Sequence, residues 1–295
     1  MWAVYALLSA VLAGTNAVLS KYGSDRTGAT VATAVRTTAV LTVSVLVIAI
    51  VGGEASLASI EPRAVIVSAL SAVATAGAWV CYFRALSAGS VERVSAVDKF
   101  SVVLTLLGGS LFLGESLNAH KMIAIFLISV GIWCSAEKKS NEIDKTSVGS
   151  MSWLMWALLS TALVSASALL SKAGVDKIAP ETVLFVRTGF VLLLVWTAVV
   201  AKKEMPQVRR MGGKTALVLL ISGVLTGLGW WCYFRALREG GAGEVHAIDK
   251  LSIVVTAVLS RIVFREKSSG RYLCGLVLIV AGILWLYFTS DRRII

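Results

Sequence analysis

The chain contains one stretch twice. Residues 79–115 read WVCYFRALSAGSVERVSAVDKFSVVLTLLGGSLFLGE, and residues 230–266 read WWCYFRALREGGAGEVHAIDKLSIVVTAVLSRIVFRE, aligned without a gap. Each landmark reappears 151 positions on: Cys81 as Cys232, Tyr82 as Tyr233, Arg84 as Arg235, Asp98 as Asp249, Lys99 as Lys250. The same shift relates Trp2 to Trp153, Lys21 to Lys172, Arg36 to Arg187 and Gly131 to Gly282. A register kept over most of a half-chain marks one unit duplicated and fused, so any fold proposed for one half must also suit the other.

Hydrophobic residues make up 57% of the chain and charged residues 15%, with a mean hydropathy of +0.82, which excludes an ordinary soluble domain. A bilayer core of about 30 Å takes about 20 mostly apolar residues per helix. Five such stretches fall in the first half, at 2–20, 30–50, 63–86, 95–114 and 122–136. Their copies fall at 153–171, 181–200, 214–237, 246–264 and 272–289. The expected fold is an all-α polytopic membrane protein of ten transmembrane helices. The repeats occupy 1–137 and 152–295, joined by a polar linker at 138–151 that contains NEIDKTS. The first stretch is read as a membrane helix and not as a signal peptide, because it lacks a basic start and has an internal copy. An odd number of helices per repeat turns the second repeat upside down relative to the first, the inverted arrangement of many secondary transporters, with the substrate site between the halves.

The net charge of +11 is read as loop Lys and Arg rather than a nucleic-acid surface, since no aromatic-basic platform accompanies it. The distribution of those loop cations favours both termini outside. Cys81, Cys134, Cys232 and Cys274 lie in apolar stretches without metal-ligand spacing. No HExxH, GxSxG or catalytic carboxylate pair occurs, so the chain is read as a non-enzyme with no metal or cofactor.

Charges inside apolar stretches are costly, and they point to function or to pairing. Arg36 and Arg187 lie inside the second stretch of each half, either snorkelling to the interface or facing a cavity. Trp79, Tyr82, Trp230 and Tyr233 form an aromatic cluster beside Arg84 and Arg235, read as an interfacial belt or as a site lining. Asp98-Lys99 and Asp249-Lys250 open the fourth stretch of each half. Neighbours on a helix point about 100° apart, so each Asp is expected to pair elsewhere, crosswise with the Lys of the other half being one arrangement. Asn16 is a polar residue of the first stretch. Glu115 and Glu266 are read as interfacial, and His120 and His246 as incidental because neither has a histidine counterpart. The arginines in excess leave a positive cavity, which favours an anionic or zwitterionic metabolite. The competing reading is a non-transporting membrane scaffold or transporter subunit.

These residues resemble the EamA branch of the drug/metabolite transporter superfamily, over nearly the whole chain as two EamA repeats. The supporting marks are Tyr82 to Leu86 and Tyr233 to Leu237 at the end of helix three, FLGE at 112–115 with its weaker copy at 264–266, and Gly-Ile at 131–132 and 282–283. The resemblance implies a metabolite or drug carrier in the plasma (inner) membrane. It also implies a central cavity lined by helices one, three, four and their counterparts, and termini in the cytoplasm, against the charge distribution. Its partners are a small-molecule substrate and the lipid bilayer, and the carrier is expected to function as a monomer. The chain departs from the family by placing Asp-Lys where a proline commonly starts helix four. The helix-one glutamate that couples protons in small multidrug relatives has no equivalent here.

Overall fold

The computed structural model describes residues 1–51, 61–88, 94, 97–135, 150–264 and 270–290. The polar linker, apart from its last residues, and Glu266 lie outside the described residues. The described helices are α1 (Trp2–Thr27), α2 (Ala29–Val51), α3 (Pro62–Ala88), α4 (Ser101–Phe112), α5 (Ala119–Ser135) and α6 (Ser150–Val175). They continue with α7 (Pro180–Ala201), the short α8 (Met205–Arg209), α9 (Gly213–Glu239), α10 (Ala242–Asp249), α11 (Ser252–Phe264) and α12 (Gly270–Ser290). No strand occurs among the described residues.

The segments 30–51, 62–82, 153–175, 180–201 and 213–239 are each long and apolar enough to cross a membrane. Trp2–Ala17, Ala119–Cys134 and Leu273–Thr289 are shorter apolar helices. The fourth span of each half completes the set, and in each it is broken. In the first half a helical turn at 97–99 is separated from α4 by Phe100. In the second, Lys250 and Leu251 separate α10 from α11. At these breaks the backbone tightens: Phe100 N–H donates to Val97 O at 3.0 Å and Leu251 N–H to Ile248 O at 2.9 Å, an i→i−3 pattern. The first interruption follows Asp98-Lys99, and the second begins at Lys250 itself.

The surface is apolar where a soluble protein would be polar. Leu46, Phe126, Trp133, Ile262 and Phe288 are exposed, while Ser71, Thr75, Ser101, Thr105, Ser165 and Ser167 are buried. Buried threonines return their hydroxyls to the carbonyl one turn back, as Thr75 does to Ser71 O and Thr105 to Ser101 O. This satisfies the side chain without a second helix.

Contacts between the halves obey the shift of 151. α1 packs on α9 and α3 on α6; α2 packs on α9 and α3 on α7; α5 pairs with α12. Each pairing becomes its own mate, or itself, when the halves are exchanged. Thr105 Oγ1 donates to Ser165 Oγ at 3.1 Å, and the equivalent Thr256 Oγ1 donates to Gly14 O at 3.3 Å. A Cβ on Gly131 would stand 2.8 Å from Ile279 Cγ1, and one on Gly282 would stand 2.9 Å from Ile128 Cγ1. The fold is therefore two inverted five-span repeats about a pseudo-two-fold. In lipid, where helices gain no hydrophobic advantage by associating, such close backbone approach is a main source of adhesion. Gly223 and Gly227 serve it on α9: their missing Cβ atoms would come within 2.6 Å of Ala39 Cβ and 2.9 Å of Val43 Cβ on α2.

With consecutive spans alternating in direction, Trp2, the loops at 113–118, 176–179 and 240–241, and the end of α12 share one face of the bundle. Trp2 meets Tyr287 there, ring centroids 6.0 Å apart. It is called the terminal face below.

Candidate functional site

α7 begins at Pro180, whose missing N–H costs nothing at a helix start, and carries Arg187 into the bundle. Arg187 is only 4% exposed. Its Nε donates to Ser71 Oγ at 3.1 Å, and its Nη2 to Thr75 Oγ1 at 2.7 Å and Ser167 Oγ at 3.4 Å. The guanidinium lies 3.7 Å over the Trp230 ring and 5.5 Å from that of Phe234. Ser71 and Thr75 are one turn apart on α3, as Ser167 and Ser171 are on α6, so two facing helices present a ladder of hydroxyls. Ser71 Oγ lies 3.0 Å from Ser167 Oγ and 2.9 Å from Ser171 Oγ. Neutral hydroxyls and ring faces orient the cation without cancelling its charge. Its Nη1 is buried without a hydrogen-bond partner.

Arg187 opens onto a cavity of about 230 Å³. The first half supplies Ser9, Ala13 and Asn16 from α1 and Thr75, Ala78 and Trp79 from α3. The second supplies Ser167 and Ser171 from α6, Trp230, Tyr233 and Phe234 from α9, and His246 and Asp249 from α10, with Lys250 at the break. The lining departs from the set that the resemblance implies. The second span of the second half contributes Arg187, whereas no described residue of the fourth span of the first half is in the lining.

The structure thus brings Asn16, Trp79, Arg187, Trp230, Tyr233, Asp249 and Lys250 to one cavity. Asp98 and Lys99 lie behind Lys250: Asp98 Oδ2 is 3.7 Å from Lys250 Nζ and 3.6 Å from Lys99 Nζ. The crosswise pair therefore forms on one side. The expectation that Asp98 and Lys99 cannot meet is wrong, because the helix stops at Phe100 and the long lysine chain folds back. Asp249 makes no such pair among the described residues; its Oδ1 accepts from Ser9 Oγ at 2.7 Å.

Four candidates lie elsewhere. Arg84 is exposed, 4.6 Å over the Trp156 ring. Tyr82 packs on the cluster of Ala85, Val94 and Ala157. Arg235 is half-buried, with a buried Nε that finds no partner. Arg36 is half-buried in α2, and its carbonyl lies against Gly223.

His246, set aside on sequence grounds, is 5% exposed and lines the cavity. Its Nε2 lies 3.2 Å from Ser101 Oγ and its Nδ1 3.3 Å from Tyr233 OH. Its position one turn before Asp249 on the same helix face was the available signal. The hydroxyls of Ser71, Thr75 and Ser167 were also missed, although spacings of four in apolar stretches mark them.

A bundle of inverted repeats with broken spans beside a polar central cavity defines a class, the polytopic membrane transporters. Comparison with known proteins specifies it. The model of the EamA-like transporter family matches residues 1–136 and again 151–288, and the chain belongs to that family. An uncharacterized transporter in the cobO 3' region of Sinorhizobium sp. is 38% identical over 137 residues, 46% of this chain and 97% of the relative. The uncharacterized transporter YxxF of Bacillus subtilis is 25% identical over 206 residues, 69% of this chain and 64% of the relative. A probable 4-amino-4-deoxy-L-arabinose-phosphoundecaprenol flippase subunit ArnE of Pseudomonas aeruginosa is 37% identical over 60 residues, 20% of this chain and 52% of the relative. One crystal structure superposes with a TM-score of 0.77 over 99% of this chain and 98% of the other, at 16% identity, a likeness of fold alone. The protein is a multi-pass membrane transporter of the EamA-like family.

Proposed function

We propose that the protein is a secondary transporter that moves a small anionic or zwitterionic metabolite by alternating access, its cavity between the two repeats taking the substrate. Arg187 carries this reading. It is a buried cation held by neutral hydroxyls and a ring face, with one nitrogen left to bond and no carboxylate neutralising it among the described residues. An anionic group at Nη1 would complete its hydrogen bonding, and a charge-assisted bond in a water-poor cavity is a strong one. Asp249, bonded there only to Ser9, suits a positive group on the same molecule. The flippase-subunit relative is named for a substrate bearing an amino group and a phosphate, the same combination of signs. The repeats at 1–137 and 152–295 serve as the moving bodies, in one chain acting as a monomer in the plasma (inner) membrane.

The test is a thermal-shift screen of purified protein against carboxylates, phosphates, amino acids and lipophilic cations, followed by counterflow in proteoliposomes. A ligand at about 100 times its Kd adds about 2.7 kcal/mol to stability, well within detection. Stabilisation by anions or zwitterions that Arg187→Gln removes supports the reading, and stabilisation by lipophilic cations alone sinks it. The second reading, a non-transporting subunit, draws on the word subunit in the name of that Pseudomonas relative. It gains if the purified protein binds a ligand yet moves none.

A further inference from the structure

A second cluster of unbalanced charge in the described structure lies outside the cavity, at the terminal face. α10 starts at Ala242 and carries Glu244 in its first turn. Glu115, in the loop after α4, reaches across from the first half, and its Oε1 accepts from the Ala242 N–H. Lys121, in the first turn of α5, places Nζ 2.8 Å from Glu244 Oε1 and 3.9 Å from Glu115 Oε2. Two first-half side chains thus grip a second-half helix by its N-terminus, where the unpaired N–H groups favour a carboxylate. The Lys121, Glu115 and Glu244 side chains are only 10%, 13% and 8% exposed.

One lysine against two carboxylates leaves a negative charge over. Glu115 Oε2 and Glu244 Oε2 are both buried without a hydrogen-bond partner. Two carboxylates withdrawn from water and sharing one cation do not both stay ionised at little cost. Glu115 stands in the loop beyond the span. Burial pushes its carboxyl above the ordinary carboxylate range and Glu244 adds to this, against the pull of the Ala242 N–H and Lys121.

The cluster sits at the opposite end of α10 from Asp249. Leu106, Phe234, Leu237 and Val245, all fully buried, pack around this part of the bundle. Gly243 lets α10 lie tight on α4: a Cβ there would run into the Leu106 side chain.

The geometry points to Glu115, Lys121 and Glu244 forming a proton-binding latch that shuts the cavity toward the terminal face. With one proton bound, the cluster ties α10 to the α4–α5 loop and α5; when the proton leaves, the excess charge drives α10 off and that face opens. The inference rests on the alternating-access reading. The closed state is stabilised in full below the ordinary glutamate range, and that stabilisation is lost as pH rises through the elevated value.

Among the described residues, the titratable and charged groups around the latch come from five helices. On α5, His120 stands beside Lys121 and against Trp285, ring centroids 6.0 Å apart. α12 offers Tyr287 and Thr289. α10 carries His246 further down. On α6, Lys172 is held by Asp176 at 2.9 Å and by Leu237 O at 2.7 Å. Arg238 and Glu239 at the end of α9 are exposed, and α1 contributes Trp2 against Gly240. In the sequence, the shift of 151 turns Glu115 into Glu266, Lys121 into Tyr272 and Glu244 into Arg93, so the equivalent positions do not carry two carboxylates and a lysine.

The experiment uses the full chain with its four cysteines replaced by serine and Ala13→Cys as a reporter in the cavity lining. A membrane-impermeant maleimide is applied to vesicles from the side that carries a C-terminal tag. Labelling is expected to be slow at pH 5.5 and to rise at least about tenfold by pH 8.5, the size of step that a tenfold change in a two-state population gives. Lys121→Gln should label fast at neutral pH and slowly again at pH 5.5, and Glu244→Gln should stay slow throughout. The charge exchange K121E/E244K keeps the same grouping, should behave as the parent, and controls for misfolding. Labelling that is indifferent to pH and to K121Q overturns the latch, as does a pH response that survives E244Q. No substrate enters this assay, so gated labelling without solute flux sinks the transporter reading and leaves the latch standing.

Discussion

Arg187 and Arg36 occupy the same register of equivalent spans, yet Arg187 is enclosed and lines the cavity while Arg36 is half-buried and does not. Their surroundings differ by little. Ser71, Thr75 and Ser167 around Arg187 correspond to Ser222, Thr226 and Asn16 in the other half, and there the Ser222 hydroxyl donates to Asn16 Oδ1. Asp98 and Asp249 make a second such pair. Asp98 draws in two ammonium groups, whereas Asp249 takes a serine hydroxyl and faces the cavity. At these two positions both halves keep the same charge, and the neutral residues around them differ in how much of it they engage. A charge's role here is set by its neighbours more than by its own identity.

Four contrasts press on that conclusion, from the largest expected effect to the smallest. Asp98→Asn leaves two lysines facing each other without a carboxylate and should cost about 3–5 kcal/mol in thermal unfolding in detergent. Asp249→Asn still accepts from Ser9 and should cost less than about 1 kcal/mol. Equal losses would erase the distinction. Arg187→Gln should weaken an anionic ligand by about 2–5 kcal/mol, read as Kd by calorimetry, and Arg36→Gln by less than about 1 kcal/mol. A third contrast concerns the helix faces. Gly223→Ala forces its new methyl into Arg36 O and Ala39 and should destabilise by about 1–3 kcal/mol, while Ala72→Gly at the equivalent place on α3 should cost about 1 kcal/mol or less. The smallest contrast is Trp230→Leu against Trp79→Leu. Loss of the ring under Arg187 should cost ligand affinity about 0.5–2 kcal/mol more than loss of its counterpart.

The span pattern and the inversion were legible because each leaves a trace that repeats: apolar length and an odd count per repeat. Pairing was only half legible. Asp98 to Lys250 follows from charge and symmetry, but the fold-back of Lys99 depends on a break at Phe100 that no proline or glycine announces. Arg84 and Arg235 attracted attention because they sit in the most faithfully repeated words of the sequence. The structure sets Arg84 against Trp156, outside the cavity. Fidelity of repetition reported a shared position in the fold and gave no information about the direction of a side chain. His246 was passed over for the converse reason, as a residue unique to one half at a site whose chemistry has become asymmetric.

The interrupted fourth spans have a mechanical consequence. A continuous rod crossing the bilayer tilts as a whole, so moving one end must move the other. α10 and α11 meet at Lys250 and Leu251 in a tightened turn, where the stiff i→i−4 ladder gives way to shorter i→i−3 bonds. The outer piece can swing about that joint while α11 keeps its bonds to α1, such as Thr256 to Gly14. A similar tightened turn at Phe100 gives the fourth span of the other half the same kind of joint. A span jointed in this way bends at its turn before it tilts as a rod.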